Sequence, residues 1–482
     1  MIKYKGNVKD QMIDYGYWLK YWWAVIKLSL KTHVKMIPAM LKYPWIYDHL
    51  KAIAFFKSHT FARTGAHLRV AHELYSTAMF YIAQLLEGLV NHEQTVVVID
   101  EMIPPEILFA MGVRHYPIDS AAFLMGLVDQ HALTKYIDAT ENLGVAADVC
   151  SLPSSQVGLA VLKEVPTNAL CYLCTNLPCE GGNMSGAAMK RALNNIPTFE
   201  LDVPDLYREP WAEEILAKTL NEMIAFLEKQ TGETMNWNTL RQVCERYNRV
   251  TEVDLEKFEY ARTDSPVITG ATLWLPRIMH YQWAAGHPWF YKAHNKISKI
   301  MASAYERGEK AWRDIRYRTI VWNCPPQFYT QLYDWLERAW GISVLMDLET
   351  DTATNMIDTS SPETMLRGLA HRYMRSTMYR YTHGGYDVNV EGMFRVAAEY
   401  HADFIIMANQ IGCRAMTALQ GTFEEEARKR GKKICWFDHD LCDPRVFSRQ
   451  EMRDRVNAFM FNVMQTQPLD QNLLQIDDAN SW

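Results

Sequence analysis

Three cysteines stand where the sequence predicts a turn between a strand and a helix. Cys150 ends ADVC before SLPSSQVG, Cys179 lies in LPCEGG, and Cys413 follows the apolar run DFIIMANQIG. Turn-forming glycine, proline or serine residues flank each of them. Ligands in open α/β sheets bind beyond the carboxyl ends of the strands, where such turns lie. Soft thiolates favour an iron–sulfur cluster or zinc, and an iron–sulfur cluster is the first expectation.

The other cysteines fit a metal site less well. Cys244 falls in a predicted helix and Cys435 in a predicted strand, and most free cysteines at such places are core residues. Cys171 and Cys174 form a CxxC pair, but on a strand their side chains point to opposite faces of the sheet. Cys174 is therefore the main rival of Cys179 as a ligand, and Cys171 is a distant one.

The composition bounds the class of protein. At 482 residues the chain is long enough for two or three domains. Its formal net charge of −6 argues against nucleic acid as a partner. Nine cysteines, an odd number in a long chain, predict reduced thiols in the cytoplasm rather than a disulfide framework. The apolar stretch YWLKYWWAVIKLSL is interrupted by Lys20 and Lys27, so no membrane-spanning helix is expected.

The first 90 residues are rich in aromatic side chains, and their pattern predicts helices. Trp18, Trp22 and Trp45, together with Lys27 and Lys31, are compatible with a helix that lies at a membrane interface. The sequence shows no clean division into polar and apolar faces, which favours a helical extension packed on its own domain or on a partner subunit. A membrane partner is therefore not expected.

Strands and helices alternate in two later parts of the chain. TVVVID (95–100) and NALCYLC (168–174) are predicted strands of the first part, and two long helices follow over 209–262. RTIVWN (318–323), ISVLMDL, DFIIMA and KICWF are predicted strands of the second part, with helices between them. Continuous apolar, β-branched runs of this kind are typical of strands buried in parallel sheets.

This alternation predicts an α/β protein with two doubly wound, parallel-sheet (Rossmann-like) domains. The expected divisions are a helical N-terminal extension at 1–90, a first α/β domain with Cys150 and Cys179 at 91–262, a helical connection at 263–314, and a second α/β domain with Cys413 at 315–482. The three cysteines would therefore come from both α/β domains.

Several segments carry a resemblance to a known family. They are PPEILFAMGVRHYP, the stretch that ends in ADVCS, the loop PCEGG, the GCR at 412–414 and FDHDLCDPRVF at 437–447. In this order and spacing, over roughly residues 94–465, the chain resembles the subunits of 2-hydroxyacyl-CoA dehydratases and benzoyl-CoA reductases, and the larger subunit in particular. No single segment is decisive, but the ordered set is fairly specific.

The resemblance implies a [4Fe-4S] cluster held by Cys150, Cys179 and Cys413. It also implies a homologous second subunit, an acyl-CoA substrate, and a separate ATP-hydrolysing iron–sulfur activator that injects one electron. In the dehydratases of this family, that electron makes a ketyl radical of the thioester, which expels the 2-hydroxyl group, and the electron is afterwards returned. The chain contains no GxxxxGK[ST] phosphate loop, in keeping with ATP hydrolysis on another chain.

The chain departs from the family at one point. Where a serine-rich stretch is expected before the first α/β helix, it has Asp100, Glu101 and Met102. Asp100 or Glu101 is expected to act as a catalytic acid–base group or as an oxygen ligand to the open iron. The alternative is that Asp100 caps the following helix or turn. The departure leaves open whether the cluster of this subunit is catalytic or relays electrons.

Charged residues near Cys413 and after KICWF are further candidates. Arg414 is expected to bind the CoA phosphates or to tune the cluster. Because Cys413 precedes a predicted helix, the helix dipole is expected to favour its thiolate form. Asp443 and Arg445 are expected to be structural, and His439 to be a hydrogen-bonded structural residue.

The first expectation for function is a subunit of a 2-hydroxyacyl-CoA dehydratase, a lyase. The runner-up is a subunit of an aromatic acyl-CoA reductase, and a third reading is a non-catalytic electron-transfer or scaffold subunit. A zinc hydrolase built on the same thiolates has little support, because the sequence contains neither HExxH nor paired CxxC motifs.

Overall fold

The structure is a computed structural model that describes residues 7–55, 63–100, 102–205, 208–270, 272–273, 286–329, 331–351 and 354–476, without the side chains at 51–55 and 127. Two four-stranded parallel sheets organise it. The strands of the first sheet are β1 (Val97–Ile99), β2 (His115–Pro117), β3 (Cys171–Thr175) and β4 (Thr198–Leu201). Those of the second are β5 (Tyr317–Trp322), β6 (Ile342–Asp347), β7 (Phe404–Gln410) and β8 (Ile434–His439).

The two sheets share one strand order. The first runs β2-β1-β3-β4 and the second runs β6-β5-β7-β8. In each sheet the second strand of the chain lies on one side of the first strand, and the third and fourth strands lie on its other side. This reversal creates a crevice between β1 and β3, and another between β5 and β7, at the carboxyl ends of those strands. The predicted α/β fold with two doubly wound parallel sheets is confirmed.

Helices precede, follow and connect the strands. The N-terminal helices are α1 (Val8–Thr32), α2 (Met36–Lys42), α3 (Trp45–Phe55) and α4 (Gly65–His92). Those of the first sheet are α5 (Pro105–Ala110), α6 (Ile118–Val128), α7 (Thr134–Glu141), α8 (Ser151–Val161) and α9 (Glu180–Ala192). Then come α10 (Pro210–Thr231), α11 (Trp237–Arg262) and α12 (Pro288–Glu306). Those of the second sheet are α13 (Leu332–Trp340), α14 (Pro362–Met374), α15 (Thr377–His383), α16 (Tyr386–Glu399), α17 (Arg414–Thr417), α18 (Gln420–Lys429) and α19 (Arg449–Asn462).

Both faces of the first sheet are buried, which explains its uninterrupted apolar strands. On β1, Val98 belongs to one hydrophobic core, whereas Val97 and Ile99 belong to another. The second core also contains Met365 and Leu369 of α14, which follows β6. A helix of the second half therefore completes the core of the first sheet, and the two halves are packed as one body at this point.

The structure differs from the predicted elements in a few places. The sequence pattern of AFLMGLVDQHALTKYIDATENLG predicts one helix. The structure has two helices there, α6 and α7, because the Asp129 side chain accepts a hydrogen bond from the backbone N–H of His131 in a tight turn. The edge strands β2 and β4 were not predicted. They have three and four residues, too few for a clear period, and β2 ends in Pro117, which only an edge strand accommodates readily.

The N-terminal helices pack on the first half of the same chain, which is one of the two arrangements that the sequence favours. Tyr21 and Leu28 of α1 share a hydrophobic core with Val70 and Leu74 of α4. The Trp45 indole N–H of α3 donates a hydrogen bond of 3.1 Å to the Glu164 carbonyl oxygen of the first half. Across the described ranges, no helix has the length and apolar character needed to cross a bilayer.

Candidate functional site

Each of the three predicted cysteines immediately precedes a helix. Cys150 stands before α8, Cys179 before α9 and Cys413 before α17. Cys179 follows the carboxyl end of β3, and Cys413 follows that of β7. These two strands border the crevices at which open α/β sheets bind ligands. Of the nine cysteines, Cys150, Cys179 and Cys413 are the partly exposed ones, and the other six are buried.

The structure brings the three cysteine segments together from both halves. A side-chain carbon placed on Gly181 would lie 3.7 Å from Cys179 Sγ and 3.9 Å from Cys150 Cβ. One placed on Gly412 would lie 2.9 Å from Cys150 Cα and 3.1 Å from Cys150 N. Glycine at both positions is what allows the loops to approach so closely.

Arg414 confirms this convergence through its ion pairs. Its guanidinium lies 2.5 Å from Asp148 Oδ2 and 3.8 Å from Glu180 Oε1. Asp148 is two residues before Cys150, and Glu180 directly follows Cys179, so neighbours of all three cysteines meet at one point. The Arg414 side chain is 61% exposed, so water screens both pairs and they contribute little to stability. Its expected contact with CoA phosphates stays a prediction.

Gln410 links two of the cysteine segments directly. Its Nε2 donates a hydrogen bond to Cys150 Sγ at 3.2 Å, and its Oε1 accepts one from the Gly412 N–H at 2.5 Å. Gln410 is the last residue of β7 and is 1% exposed. The second sheet therefore presents a fixed N–H donor to a sulfur atom of the first half. Sequence reasoning missed this residue, because nothing local marks one buried glutamine as a thiol partner.

The surroundings of the thiols disfavour their ionisation when no metal is bound. Burial raises the pKa of Cys413 to about 12, and the neighbouring Cys179 adds to the shift. Burial, together with Asp440, Cys179 and Cys442, raises the pKa of Cys150 well above its ordinary value. The net shift in the pKa of Cys413 is opposite to the expectation that the helix dipole favours its thiolate form. Backbone N–H groups of α17 lower the pKa, but burial outweighs them.

The rival cysteines lie elsewhere. Cys171 and Cys174 belong to separate cores on opposite faces of β3, as the strand period required. The Cys174 thiol approaches the carbonyl oxygen of Phe199 at 3.7 Å, on the side of the edge strand β4. Cys244 and Cys435 are buried in α11 and β8, in agreement with a core role. Cys179, and not Cys174, therefore lies beside Cys150.

A cavity of about 80 Å³ lies next to Cys150 and Cys179, between the two halves. Its polar lining in the first half includes Asp100, Asp119, Gln156 and Ser185. In the second half the lining includes Cys324, Gln327, Glu349 and Met378. The cavity therefore combines thiols, carboxylates and amides in a space with room for several water-sized groups.

Asp100 stands at the carboxyl end of β1 and lines this cavity. Its Oδ1 accepts a hydrogen bond of 2.6 Å from the Tyr172 hydroxyl of the neighbouring strand β3. Asp100 does not cap the next helix, because α5 begins after Pro104 and has no side-chain cap, and its role in the intervening turn stays a prediction. Glu101, the other predicted catalytic residue, lies outside the described residues. The catalytic role of both carboxylates stays a prediction.

The segment after β8 closes the site from the second half. The Asp440 carboxylate accepts hydrogen bonds from the N–H groups of Cys442 and Asp443, at 2.9 and 2.8 Å. The Cys442 N–H also lies 2.9 Å from the Ser151 hydroxyl at the start of α8. The sequence analysis did not single out Cys442, whose thiol is buried and influences the pKa of Cys150.

His439, Asp443 and Arg445 have the structural contacts expected of them. His439 Nδ1 lies 2.9 Å from the Asp440 carbonyl oxygen, and burial lowers its pKa to about 4. Arg445 makes a bidentate pair with Asp443 and reaches Asp138 of α7. These pairs tie the loop after β8 to the first half.

Cys150, Cys179 and Cys413 are soft sulfur donors, the ligand type of iron–sulfur clusters and of zinc. Within the described part of the chain, no three His, Cys, Asp or Glu side chains form a group that could hold a metal ion as the side chains stand. Cys150 and Cys179 also precede helices of 11 and 13 residues, whose N-terminal dipoles favour a thiolate-bearing, negatively charged group. The donor set therefore fits a cluster.

Fold and site together define an α/β protein whose two parallel sheets place a three-thiol site between them. Comparison with known families gives a match over residues 101–461 to the family described as 2-hydroxyglutaryl-CoA dehydratase, D-component. The chain belongs to this family. The match includes all three cysteines and both sheets except β1, and it leaves out the helices α1 to α4. No curated protein matches the chain.

Proposed function

We propose that this chain is the iron–sulfur subunit of a 2-hydroxyacyl-CoA dehydratase, which eliminates water from a 2-hydroxyacyl-CoA to give an enoyl-CoA. The observation that carries the proposal is the meeting of Cys150, Cys179 and Cys413 between the two sheets. The family adds that the enzyme is a multi-component system with a partner subunit. An ATP-hydrolysing iron–sulfur activator is proposed as the electron donor, since no phosphate loop occurs in the sequence.

Cys150, Cys179 and Cys413 would hold a [4Fe-4S] cluster, which when bound supplies one-electron transfer and a Lewis-acidic iron. The chain positions these thiols by glycine-tight loops and by the hydrogen bond from Gln410 to Cys150. Because burial raises the pKa of the Cys150 and Cys413 thiols, loading the site displaces their protons.

The cavity beside the cysteines is proposed to receive the acyl end of the thioester. Asp100 is held there by the Tyr172 hydroxyl, with its carboxylate placed to accept or return a proton of the substrate. Leu152, Leu177 and Leu441 line the same space and exclude water from it. Exclusion of water strengthens the interactions of the remaining polar groups with a charged substrate.

Anaerobic purification tests the first part of this proposal. We expect about four iron and four sulfide per chain and a brown colour. A colourless protein that binds zinc at the same thiols would contradict it. Replacement of Cys179 by Ser should remove the iron, whereas Cys174→Ser should retain it, because the Cys174 thiol lies on the β4 side of β3.

A product assay tests the reaction. With its partner and the activator present, the complex should convert a 2-hydroxyacyl-CoA to an enoyl-CoA with no net consumption of electrons. Stoichiometric electron consumption with an aromatic acyl-CoA would show a reductase instead. Asp100→Asn should lower the rate while leaving the iron content unchanged, which separates a role in proton transfer from a role in holding the cluster.

A further inference from the structure

Helix α1 carries an exposed apolar stripe along its outer side. We name as the α1 stripe seven side chains that are 44% to 74% exposed: Val8, Met12, Tyr15, Leu19, Trp23, Ile26 and Leu30. They follow one another at steps of four, three, four, four, three and four residues. These steps keep them on one face of a helix with 3.6 residues per turn.

The opposite face of α1 is already occupied. Tyr21 and Leu28 are buried against α4, and Tyr17 stacks on His72 with ring centroids 4.4 Å apart. Packing on the first half therefore accounts for one side of the helix and leaves the α1 stripe uncovered. A helix that is apolar on both sides normally buries both of them.

Lysines form a row on one flank of the stripe. Lys9, Lys20, Lys27 and Lys31 each directly follow a stripe residue, namely Val8, Leu19, Ile26 and Leu30, and all four lysines are exposed. One step along a helix is a rotation of about 100°, so the four lie on the same side of the stripe.

The acids of α1 face away from this flank. Asp10 is buried and accepts the Gly65 N–H at 2.9 Å, and Asp14 lies 2.7 Å from His72 Nε2. The helix contains no other acid. The outer surface of α1 therefore combines a line of bulky apolar groups with a row of lysines, of which Lys20 lies 3.8 Å from Glu73 of α4.

Aromatic rings border the other flank. Trp18 stacks on Tyr15 with centroids 5.5 Å apart, and Trp22 meets Trp18 edge to face at 6.0 Å. Tryptophan and tyrosine are enriched where hydrocarbon meets lipid headgroups, because their rings are apolar and their N–H or O–H groups are polar. Bulky apolar residues with lysine at the boundary are also typical of helices that lie in the plane of a membrane.

We propose that α1 binds the surface of an anionic lipid bilayer, with the α1 stripe inserted among the headgroups and the lysine row on the lipid phosphates. Anionic lipid supplies the negative charge that the lysine row lacks within its own helix. The helix lies on the bilayer and does not cross it, because its inner face stays on α4.

A second copy of the chain fits the surface less well. A second copy docked through the same stripe brings no acid of its own α1 to the lysine row, because both acids of α1 face away from it. An antiparallel arrangement of two such helices would place lysine row beside lysine row. The family match begins at residue 101, so α1 to α4 lie outside the part of the chain that matches the family.

Vesicle flotation of the full-length chain, in the complex in which it is purified, tests the proposal. Vesicles of two parts phosphatidylcholine to one part phosphatidylglycerol should carry the protein, and vesicles of phosphatidylcholine alone should carry about tenfold less. Added salt should weaken the binding, because it screens the lysines. Failure of the protein to float with anionic vesicles would overturn the proposal.

Matched substitutions locate the contact. Leu19→Asp should reduce vesicle binding about tenfold or more, whereas Leu143→Asp, at an exposed leucine outside the stripe, should not change it. Lys27→Glu should also weaken binding to anionic vesicles, and Lys218→Glu, on the exposed side of α10, should have no effect. Circular dichroism and iron content show that each variant is folded. Equal binding by Leu19→Asp and the parent would disprove the role of the stripe.

Light scattering after size-exclusion chromatography distinguishes the protein alternative. If the parent is a larger oligomer that Leu19→Asp dissociates, the stripe is a protein interface and the bilayer proposal is wrong. An unchanged oligomeric state in Leu19→Asp, with loss of flotation, supports the bilayer. The result does not depend on the proposed dehydratase activity, since neither variant touches the cysteine site.

Discussion

The two halves of the molecule have the same strand order but contribute different chemistry to the site. At the carboxyl edge of the first sheet lie Cys150, Cys179 and Asp100, whereas the second supplies Cys413 and Gln410. The predicted ligands come from both halves, and Cys324 and Cys442 of the second half also lie at the site. Two sheets with the same topology thus form one site together, and its specific chemistry lies in the loops rather than in the sheets.

The halves also share a buried acid in the same topological place. Glu106 lies on α5, between β1 and β2, and Glu337 lies on α13, between β5 and β6. Burial raises the pKa of each carboxyl to about 7. Glu106 accepts a hydrogen bond from Tyr373 at 3.1 Å, and Glu337 accepts bonds from Thr269 and Ser343. The similarity of the halves therefore extends from backbone order to the energetics of their cores.

The largest expected effect is loss of iron on removing Cys413, the one proposed cluster ligand from the second half. Cys413→Ser should lose iron and sulfide as completely as Cys150→Ser, because a cluster needs all three thiolates. Cys435→Ser, at a buried cysteine of the same half, should retain them. Measurement of iron and acid-labile sulfide per chain decides the matter. Full iron content in Cys413→Ser would assign the site to the first half alone.

The second prediction concerns the paired acids and pH. A carboxyl whose pKa is higher in the folded state stabilises the fold at low pH. That contribution is lost as the pH rises from about 4.5, the unfolded value, to about 7, the folded value. For each of the two residues, the free energy of unfolding falls by up to about 3 kcal/mol, since one pKa unit corresponds to about 1.4 kcal/mol.

Glu106→Gln and Glu337→Gln should therefore each be more stable than the parent at pH 8 and close to it at pH 4. Denaturant titration at several pH values measures the difference. Glu222→Gln, at an exposed position of α10, is the control and should change little. If only one of the two buried positions responds, the cores of the two halves are not equivalent.

The third prediction targets the contact between the halves. Gly412→Ala would place a carbon 2.9 Å from Cys150 Cα, so backbone must move. We expect a loss of about 1–3 kcal/mol in stability and faster release of iron. Gly421→Ala on α18 meets no atom within 4 Å and should be neutral or slightly stabilising. Equal behaviour of the two variants would show that the halves are not tightly apposed there.

The smallest expected effect is on the redox potential. Gln410→Leu removes the N–H group that donates a hydrogen bond to Cys150 Sγ. That N–H group stabilises the reduced cluster, whose charge is more negative, so its loss disfavours reduction. The potential should fall by tens of millivolts, as measured by redox titration followed by electron paramagnetic resonance. Gln420→Leu, on the exposed start of α18, should leave the potential unchanged. A potential that stays the same or rises in Gln410→Leu would contradict the assigned role.

Much of this architecture could be predicted from the sequence, because the long apolar strands and the turns after them have strong local signals. The places of Cys150, Cys179 and Cys413 at strand and helix ends made them candidates, and the family resemblance grouped them as one ligand set. The short edge strands β2 and β4 gave too weak a pattern to predict.

Contacts between distant segments were beyond the sequence. Gln410 and Cys442 acquire their roles from neighbours more than 250 residues away in the chain, so no local pattern marks them. The bond from Tyr172 to Asp100 depends likewise on which strands are adjacent in the sheet. Burial also reversed the expected effect of the helix dipole on Cys413, since the degree of burial is a property of the whole fold.

The separation of Cys150 from Cys413 along the chain has a consequence for biosynthesis. Ribosomes add roughly 5–20 residues per second, so the last thiol leaves the ribosome well over ten seconds after the first. Helix α14, which completes the core of the first sheet, is also synthesised in that interval. Maturation of the metal centre must therefore wait for nearly complete translation, and truncated products should emerge without iron.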